Sequence, residues 1–255
     1  MFCNQPDKYE IDAALYKQLA NYYKYNNPQK HIEYYLKHYD AVQKLAHTYY
    51  KGGTSACLSP RQIQPAKIRI LHASPNTPAI DVHINSQQIL QNMNFKQYSD
   101  YITLLQGQYR IDIYISKITP NPVLSAIIPV MSDNVYTIAI SGEVNNPQLI
   151  SLIDNTYLPY GQAKIRVVHV SPDTSIIDIA IKDSELLFTQ ISFKQATDYL
   201  QASPGTANLE VCIAGTKESV LSLPNTKIDP NKIYTIFVVG YTHKTPKLDA
   251  LFLTN

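Results

Sequence analysis

Two hydrophobic rhythms divide the chain. Over the first fifth, apolar side chains return every three or four residues: Ile11, Leu15, Leu19 and Tyr22, then Ile32, Tyr35, Leu36, Tyr39, Val42, Leu45, Ala46 and Tyr49. That period predicts two amphipathic helices. Asp7, with Glu10 three residues on, has capping-box spacing for the first start. Asn26-Asn27-Pro28 interrupts the pattern; Asn27 suits the cap and Pro28 the first turn of the second helix. Gly52-Gly53 stops it. Residues 1–53 therefore read as an α-helical hairpin, and 54–65, with its Ser, Pro and Gln, as a linker.

From Ala66 onward the period is two. Ile68, Ile70 and His72 alternate with Arg69 and Leu71; Ile80, Val82 and Ile84 alternate with Asp81 and His83. Val-, Ile- and Tyr-rich runs such as Tyr109–Ile115 and Val135–Ile140 follow, punctuated by turn clusters such as Thr119-Pro120-Asn121-Pro122. Short strands at this spacing predict an all-β sandwich or barrel.

The β region is written twice. KIRILHASPNTPAIDVHI, from Lys67, returns as KIRVVHVSPDTSIIDIAI from Lys164. Phe95-Lys96-Gln97 returns as Phe193-Lys194-Gln195, Asp100-Tyr101 as Asp198-Tyr199, Gly107 as Gly205, and Tyr136-Thr137-Ile138 as Tyr234-Thr235-Ile236. The offset grows from 97 to 98 after the first block, so one residue is added in the loop before Phe193. A period of that length is too long for a solenoid unit and fits a complete sandwich. The fold expected is mainly β: two tandem immunoglobulin-like or transthyretin-like antiparallel β-sandwich domains, 66–155 and 163–255, preceded by the helical hairpin.

Arg69, His72, Ser74, Pro75, Asp81, Asp100, Tyr101, Gly107 and Tyr136, and in the second copy Arg166, His169, Ser171, Pro172, Asp178, Asp198, Tyr199, Gly205 and Tyr234, form an ordered set of blocks. Together they resemble the bacterial domain of unknown function 4397, over about three quarters of the chain. The resemblance implies tandem sandwiches and an envelope-associated or secreted setting, and it supplies no mechanism. The helical hairpin is an addition to that pattern.

The repeated polar residues raise the question of a site. Period-two logic puts His72 and His169 on the buried face, at the end of their strands, where an imidazole must be hydrogen-bonded. Ser74-Pro75 and Ser171-Pro172 carry turn chemistry. Asp81 and Asp178 fall opposite their apolar neighbours, where they could pair with outward Arg69 and Arg166 across strands or accept backbone amides. A metal set of His72, Asp81 and His83 is disfavoured. The first two are expected on opposite faces, Ala180 replaces His83 in the second copy, and no further ligand lies at suitable spacing. No GxSxG elbow, HExxH, phosphate loop or dinucleotide fingerprint occurs. The reading is a repeated structural motif with no catalytic, cofactor or metal residues: a non-enzymatic structural or binding protein. Its alternative is a carbohydrate or small-ligand binder using sandwich loops or the inter-domain cleft, with Tyr157, Tyr160 and Tyr241 near domain ends.

Composition changes this picture little. A formal net charge of +2 gives no footprint for nucleic acid, and no apolar run reaches the length of a membrane helix. Cys3, Cys57 and Cys212 suit neither a disulfide framework nor a metal knuckle. Cys212 is expected in the core. The opening MFCNQPDKYE lacks a basic segment followed by an apolar one, which predicts cytoplasmic synthesis without a signal peptide, for delivery to a spore or envelope surface. The hairpin holds ten of the twenty tyrosines. Two helices alone bury too little to stand by themselves, so the hairpin is expected to pack on the rest of the chain or on another copy, serving assembly or docking, with a homo-oligomer contact as the partner named for it. The ligand is not legible.

Overall fold

The computed structural model describes residues 5–23, 27–51, 65–118 and 120–255. The chain divides into two compact units, Met1–Gln62 and Ile63–Asn255. The linker expected at 54–65 lies outside the described residues except for Pro65, as do Gly52-Gly53, Cys3 and Cys57.

The first unit is a helical hairpin of α1 (Gln5–Tyr23) and α2 (Pro28–Lys51). Asn27 caps α2: its Oδ1 accepts the Lys30 amide at 3.1 Å, with Pro28 at the first helical position. The expected start of α1 at Asp7 falls two residues late, since the helix begins at Gln5. The seam also differs from the expected stripe. Among the described residues of the hairpin, the buried ones are Ala13, Ala20 and Ala41. Tyr16 and Tyr23 stack on Tyr34 beside them, with ring centroids 6.4 and 5.6 Å apart. His31 and His38 on α2 reach the carbonyl oxygens of Ala20 and Ala13 at 2.7 and 2.8 Å. Small alanines let the backbones approach closely enough for imidazoles to bridge them. The positions 13, 16, 20 and 23 facing 31, 34, 38 and 41 follow the three–four spacing of a coiled-coil seam. Ile11, Leu15 and Tyr22, read from the sequence as the packed face, are 62, 47 and 68% exposed.

The second unit holds sixteen strands in four sheets of four. The first sandwich contains β1 (Ala66–His72), β2 (Ile80–Ile84), β3 (Gln87–Met93), β4 (Ile102–Leu104), β5 (Gly107–Ile115), β6 (Leu124–Val130), β7 (Val135–Glu143) and β8 (Asn146–Asp154). The second contains β9 (Ala163–His169), β10 (Ile177–Ile181), β11 (Leu186–Ile191), β12 (Leu200–Ala202), β13 (Gly205–Ile213), β14 (Ser219–Ile228), β15 (Lys232–Val239) and β16 (Asp249–Thr254). Sheet orders are β4-β1-β7-β8 and β3-β2-β5-β6, repeated as β12-β9-β15-β16 and β11-β10-β13-β14. All pairings are antiparallel except β1 with β7 and β9 with β15, which run parallel. Each sandwich thus pairs two four-stranded sheets, with the same order and the same parallel contact in both copies.

Period-two patterning builds each core. Ile68 and Ile70, Ile80 and Val82, Ile111 and Ile113, and Ile138 and Ile140 interdigitate between the sheets of the first sandwich. Val167, Ile177, Ile179, Val211, Ile236 and Val238 do so in the second. The added residue of the second copy lies in a hairpin turn. Asn85-Ser86, with φ of 50° and 70°, makes a two-residue turn of the type that needs positive φ at both positions. Between β10 and β11 the connection is longer, with Asp183 at φ 58°.

Residues out of phase with the cores, Leu71, Ala139, Val168, Phe237 and Val239, are buried as well. The outer faces of β4-β1-β7-β8 and β12-β9-β15-β16 meet, and hydrogen bonds cross between them: the Ser141 hydroxyl to the Val170 carbonyl at 3.2 Å, and Tyr241 and Lys244 to Glu143 at 3.4 and 2.9 Å. Strands covered on both faces read as near-continuous apolar runs, which is how Tyr136–Ile140 and Tyr234–Val239 are written.

Gly142 and Gly240 close the strands after these runs at φ 86° and 87°. A Cβ on Gly142 would sit 2.6 Å from the Asn146 carbonyl oxygen, and one on Gly240 would collide with that of Lys247. Both backbone strain and backbone collision oppose a side chain there. Gly142→Ala and Gly240→Ala are each expected to lose at least about 1–3 kcal/mol, measured by urea unfolding; unchanged midpoints would show that the turns relax freely.

Candidate functional site

The repeated residues assemble into two constellations in each sandwich. The first surrounds the histidine. His72 ends β1, fully buried. Its Nδ1 accepts the Ser74 amide at 3.3 Å, and Nε2 donates to the Pro78 carbonyl at 3.3 Å. These partners fix a neutral ring with its proton on Nε2. Ser74-Pro75-Asn76-Thr77 turns back beneath it, Pro75 at the second position suiting a fixed φ. The Ser74 hydroxyl donates to the Gly142 carbonyl at 2.6 Å and lies 2.5 Å from that of Thr77.

The Phe-Lys-Gln block is the other half of this turn. Phe95 meets the His72 ring edge-on at 6.3 Å. The Lys96 amide donates to the His72 carbonyl at 2.8 Å, and the His72 amide donates to that of Gln97 at 2.9 Å. The Gln97 side chain accepts the Asn94 amide at 2.7 Å. The second copy repeats the geometry. His169 Nδ1 accepts the Ser171 amide at 3.4 Å and Nε2 reaches the Ser175 carbonyl at 3.1 Å. The Ser171 hydroxyl, preceding Pro172, donates to Gly240 at 2.8 Å. Phe193 packs 6.2 Å from the ring. Burial pushes both imidazoles below the ordinary value of 6.5, partly opposed by the backbone carbonyls at Nε2.

Asp81 and Asp178 do not meet the arginines. Arg69 and Arg166 lie in β1 and β9, whereas the aspartates lie in β2 and β10, in the opposite sheet of each sandwich. Backbone capping, the other option, is what the aspartates do. Asp81 Oδ1 accepts the Asn92 amide at 2.7 Å and the Ser116 hydroxyl at 2.5 Å. Asp178 accepts the amides of Gln190 at 2.7 Å and Gly215 at 3.0 Å. Asn92 and Gln190 have positive φ beside register shifts in the hairpins, so each carboxylate ties down a β-bulge.

The second constellation carries the arginines, which point out of their own sandwiches and are nevertheless buried. Arg69 Nε donates to the Thr137 hydroxyl at 2.8 Å, and its guanidinium lies 4.9 Å from the Tyr101 ring. Its Nη1 and Nη2 then cross to the other sandwich, to the Thr254 carbonyl at 2.7 Å and Asn255 Oδ1 at 2.6 Å. Arg166 does the reciprocal. Nε donates to Thr235 at 3.0 Å, and Tyr199 lies 4.6 Å below. Nη1 donates to the Ile153 carbonyl at 2.7 Å, and Nη2 pairs with Asp154. Asp154 also accepts Thr137 at 2.6 Å and Tyr101 at 3.1 Å, with Arg69 3.7 Å away. Burial and the nearby Asp154 push the Tyr101 hydroxyl above its ordinary range, despite the opposing Arg69.

His83 belongs to neither group. It faces Asp112 across β2 and β5 and packs 4.6 Å from Tyr114, so the trio His72, Asp81 and His83 is not brought together. No cluster of three or more His, Cys, Asp or Glu able to hold a metal occurs among the described residues. Cys212 is buried, as expected of a core residue. Of the three tyrosines considered for ligands, Tyr157 and Tyr160 are exposed, whereas Tyr241 is buried on Glu143, with burial raising its pKa to about 12. Residues missed from the sequence include Gly142 and Gly240, Thr77 and Thr174, and Asp154 and Asn255. The first two pairs obey the repeat offsets and were findable. The last pair is offset by 101 and differs in identity, so the repeat carries no signal for it.

A family profile described as "Domain of unknown function (DUF4397)" matches residues 66–180 and 163–255. No curated protein matches. Among solved structures, the C-terminal domain of AlgF from P. aeruginosa is similar at 16% identity, covering 37% of this chain and 99% of that one, with a TM-score of 0.29. Its N-terminal domain is similar at 19% identity over 39% and 99%, with a TM-score of 0.27. The tip fimbrial protein Mfa3 from Porphyromonas gingivalis, with C-terminal truncation, is similar at 9% identity over 75% and 98%, with a TM-score of 0.22.

A histidine kept neutral by burial gains its proton more easily in the unfolded chain. Proton uptake on unfolding makes stability fall as pH drops through 6.5, and the loss continues toward the lower folded-state value. Urea unfolding between pH 7.5 and 5 is expected to show this slope. His72→Ala should lower stability by about 1–3 kcal/mol at neutral pH, because it strands the Ser74 amide and Pro78 carbonyl, and should flatten the slope. An unaltered slope in the variant would place the acid sensitivity elsewhere.

Proposed function

The chain belongs to the DUF4397 family, in two tandem copies, and from that premise we propose that it is a non-enzymatic structural or binding protein. The hairpin assembles copies and the paired sandwiches are the displayed body. One observation carries this reading: the repeated polar side chains are engaged with the fold itself. Both nitrogens of His72 and His169 have backbone partners, both serine hydroxyls hold strand ends, and both aspartates tie down bulges. A motif engaged in this way is a folding device, and its duplication gives a larger rigid unit. None of the described helices is long and apolar enough to cross a membrane. Work at an envelope surface is the setting that the family resemblance suggests.

The assembly role rests on the hairpin's second stripe. The α1–α2 seam uses Ala13, Tyr16, Ala20 and Tyr23, which leaves Ile11, Leu15 and Tyr22 accessible on the same helix. A homo-oligomer formed through this stripe would cover it.

A second reading, binding of a carbohydrate or small ligand, is favoured by one feature. A shallow cleft of about 390 Å³ is lined by Leu90, Gln91, Met93, Lys96, Tyr98 and Ser99, among others. Its half-exposed Tyr98 offers an aromatic wall where the second copy has buried Ala196, and Lys96 pairs with Asp249 of the other sandwich.

Light scattering of the full chain and of the 54–255 fragment separates these readings. Assembly through the hairpin predicts a multimer that becomes a monomer on truncation. Two monomers would sink the assembly role and direct the search to the Tyr98 cleft, where a glycan array without hits would count against sugar binding.

A further inference from the structure

The two sandwiches meet as a symmetric dimer would. Arg69 of the first reaches the end of the last strand of the second, Thr254 and Asn255. Arg166 of the second reaches the end of the last strand of the first, Ile153 and Asp154. Each arginine is oriented by its own threonine and its own tyrosine ring, so the donor halves are equivalent. Mutual contact of one patch with its own equivalent is the signature of an isologous interface.

The acceptor halves are not equivalent. Asp154 occupies one end and Asn255 the other. Among the described residues, the centre thus encloses two guanidinium groups and one side-chain carboxylate, with Arg69 and Arg166 at 3 and 0% exposure. Buried charge is costly unless paired. Asp154 answers both cations, bonding Arg166 directly and reaching Arg69 through the shared Thr137 hydroxyl. The faces of Tyr101 and Tyr199 add cation–π attraction.

We infer that the outer face of the β4-β1-β7-β8 sheet and its equivalent in the second sandwich form a self-recognition surface between the two repeats of this chain, and that one carboxylate, at either 154 or 255, is the determinant that holds it closed. The partner it fits presents an arginine in the first strand and a carboxylate or amide at the end of the last. Repeat 2 is that partner within this chain. The connection around Tyr157–Gly161 holds the two together but does not create their affinity.

The test uses the full chain with a specific protease site inserted between Tyr160 and Gly161. After cleavage, the two halves should co-elute on size exclusion. In Asp154→Asn no side-chain carboxylate faces the arginines. Its halves should separate, and the uncut protein should melt roughly 10 °C lower, the shift expected when one partner of a buried pair is removed from a chain of this size. The exchanged variant Asp154→Asn/Asn255→Asp returns the carboxylate at the equivalent end. It should co-elute again and recover most of the melting temperature. Wild-type halves that separate would overturn the self-recognition surface. An Asp154→Asn protein that behaves as wild type, or an exchanged variant no better than Asp154→Asn, would overturn the interchangeable carboxylate.

Discussion

The arrangement of the β unit depends on charge that has left water. Two arginines point away from their own cores, and in an isolated sandwich each would lie on a solvated sheet face. Here that face is covered by the other repeat, so every guanidinium donor needs a defined acceptor. Threonine hydroxyls, tyrosine faces, strand-end carbonyls and Asp154 supply them. Hydrophobic packing through Leu71, Ala139, Val168, Phe237 and Val239 is tolerant of small slips. Hydrogen bonds from a planar fork are not, and they fix the register of one sandwich on the other.

The histidine turn solves a different problem. A strand that ends inside a sandwich leaves amides and carbonyls without ladder partners. An imidazole can accept with one nitrogen and donate with the other, so one buried ring satisfies the turn on both sides. The serine, threonine and glycine around it close the chain onto the end of the parallel neighbouring strand. This explains why a residue associated with catalysis recurs in a protein whose repeated chemistry is turned inward. The hairpin uses the same economy: His31 and His38 bridge to main-chain oxygens across an alanine seam.

Sequence by itself determined the two helices, the duplication, the strands from Ala66 onward and the buried turn role of His72, Ser74 and Pro75. Local chemistry carries these: a period of 3.6 or 2, a cap, a proline turn and repetition of whole blocks. It also placed Arg69 and Arg166 outside their sandwiches, as alternation with Ile68, Ile70, Ile165 and Val167 requires. In the hairpin it indicated helices but not their seam, because alanines make a close contact that a hydrophobic tally overlooks.

Only the tertiary structure decided what the outward arginines face. Alternation along a strand reports inside and outside of one sandwich, and cannot report that the outside is another copy. The partners at Asp154 and Asn255 lie far along the chain, at a different offset and with different side chains, so the repeat does not reveal them. The parallel contact of first and seventh strands, and the separation of Arg69 from Asp81 into opposite sheets, were settled the same way. They depend on pairings between distant segments, which neither local propensity nor spacing encodes.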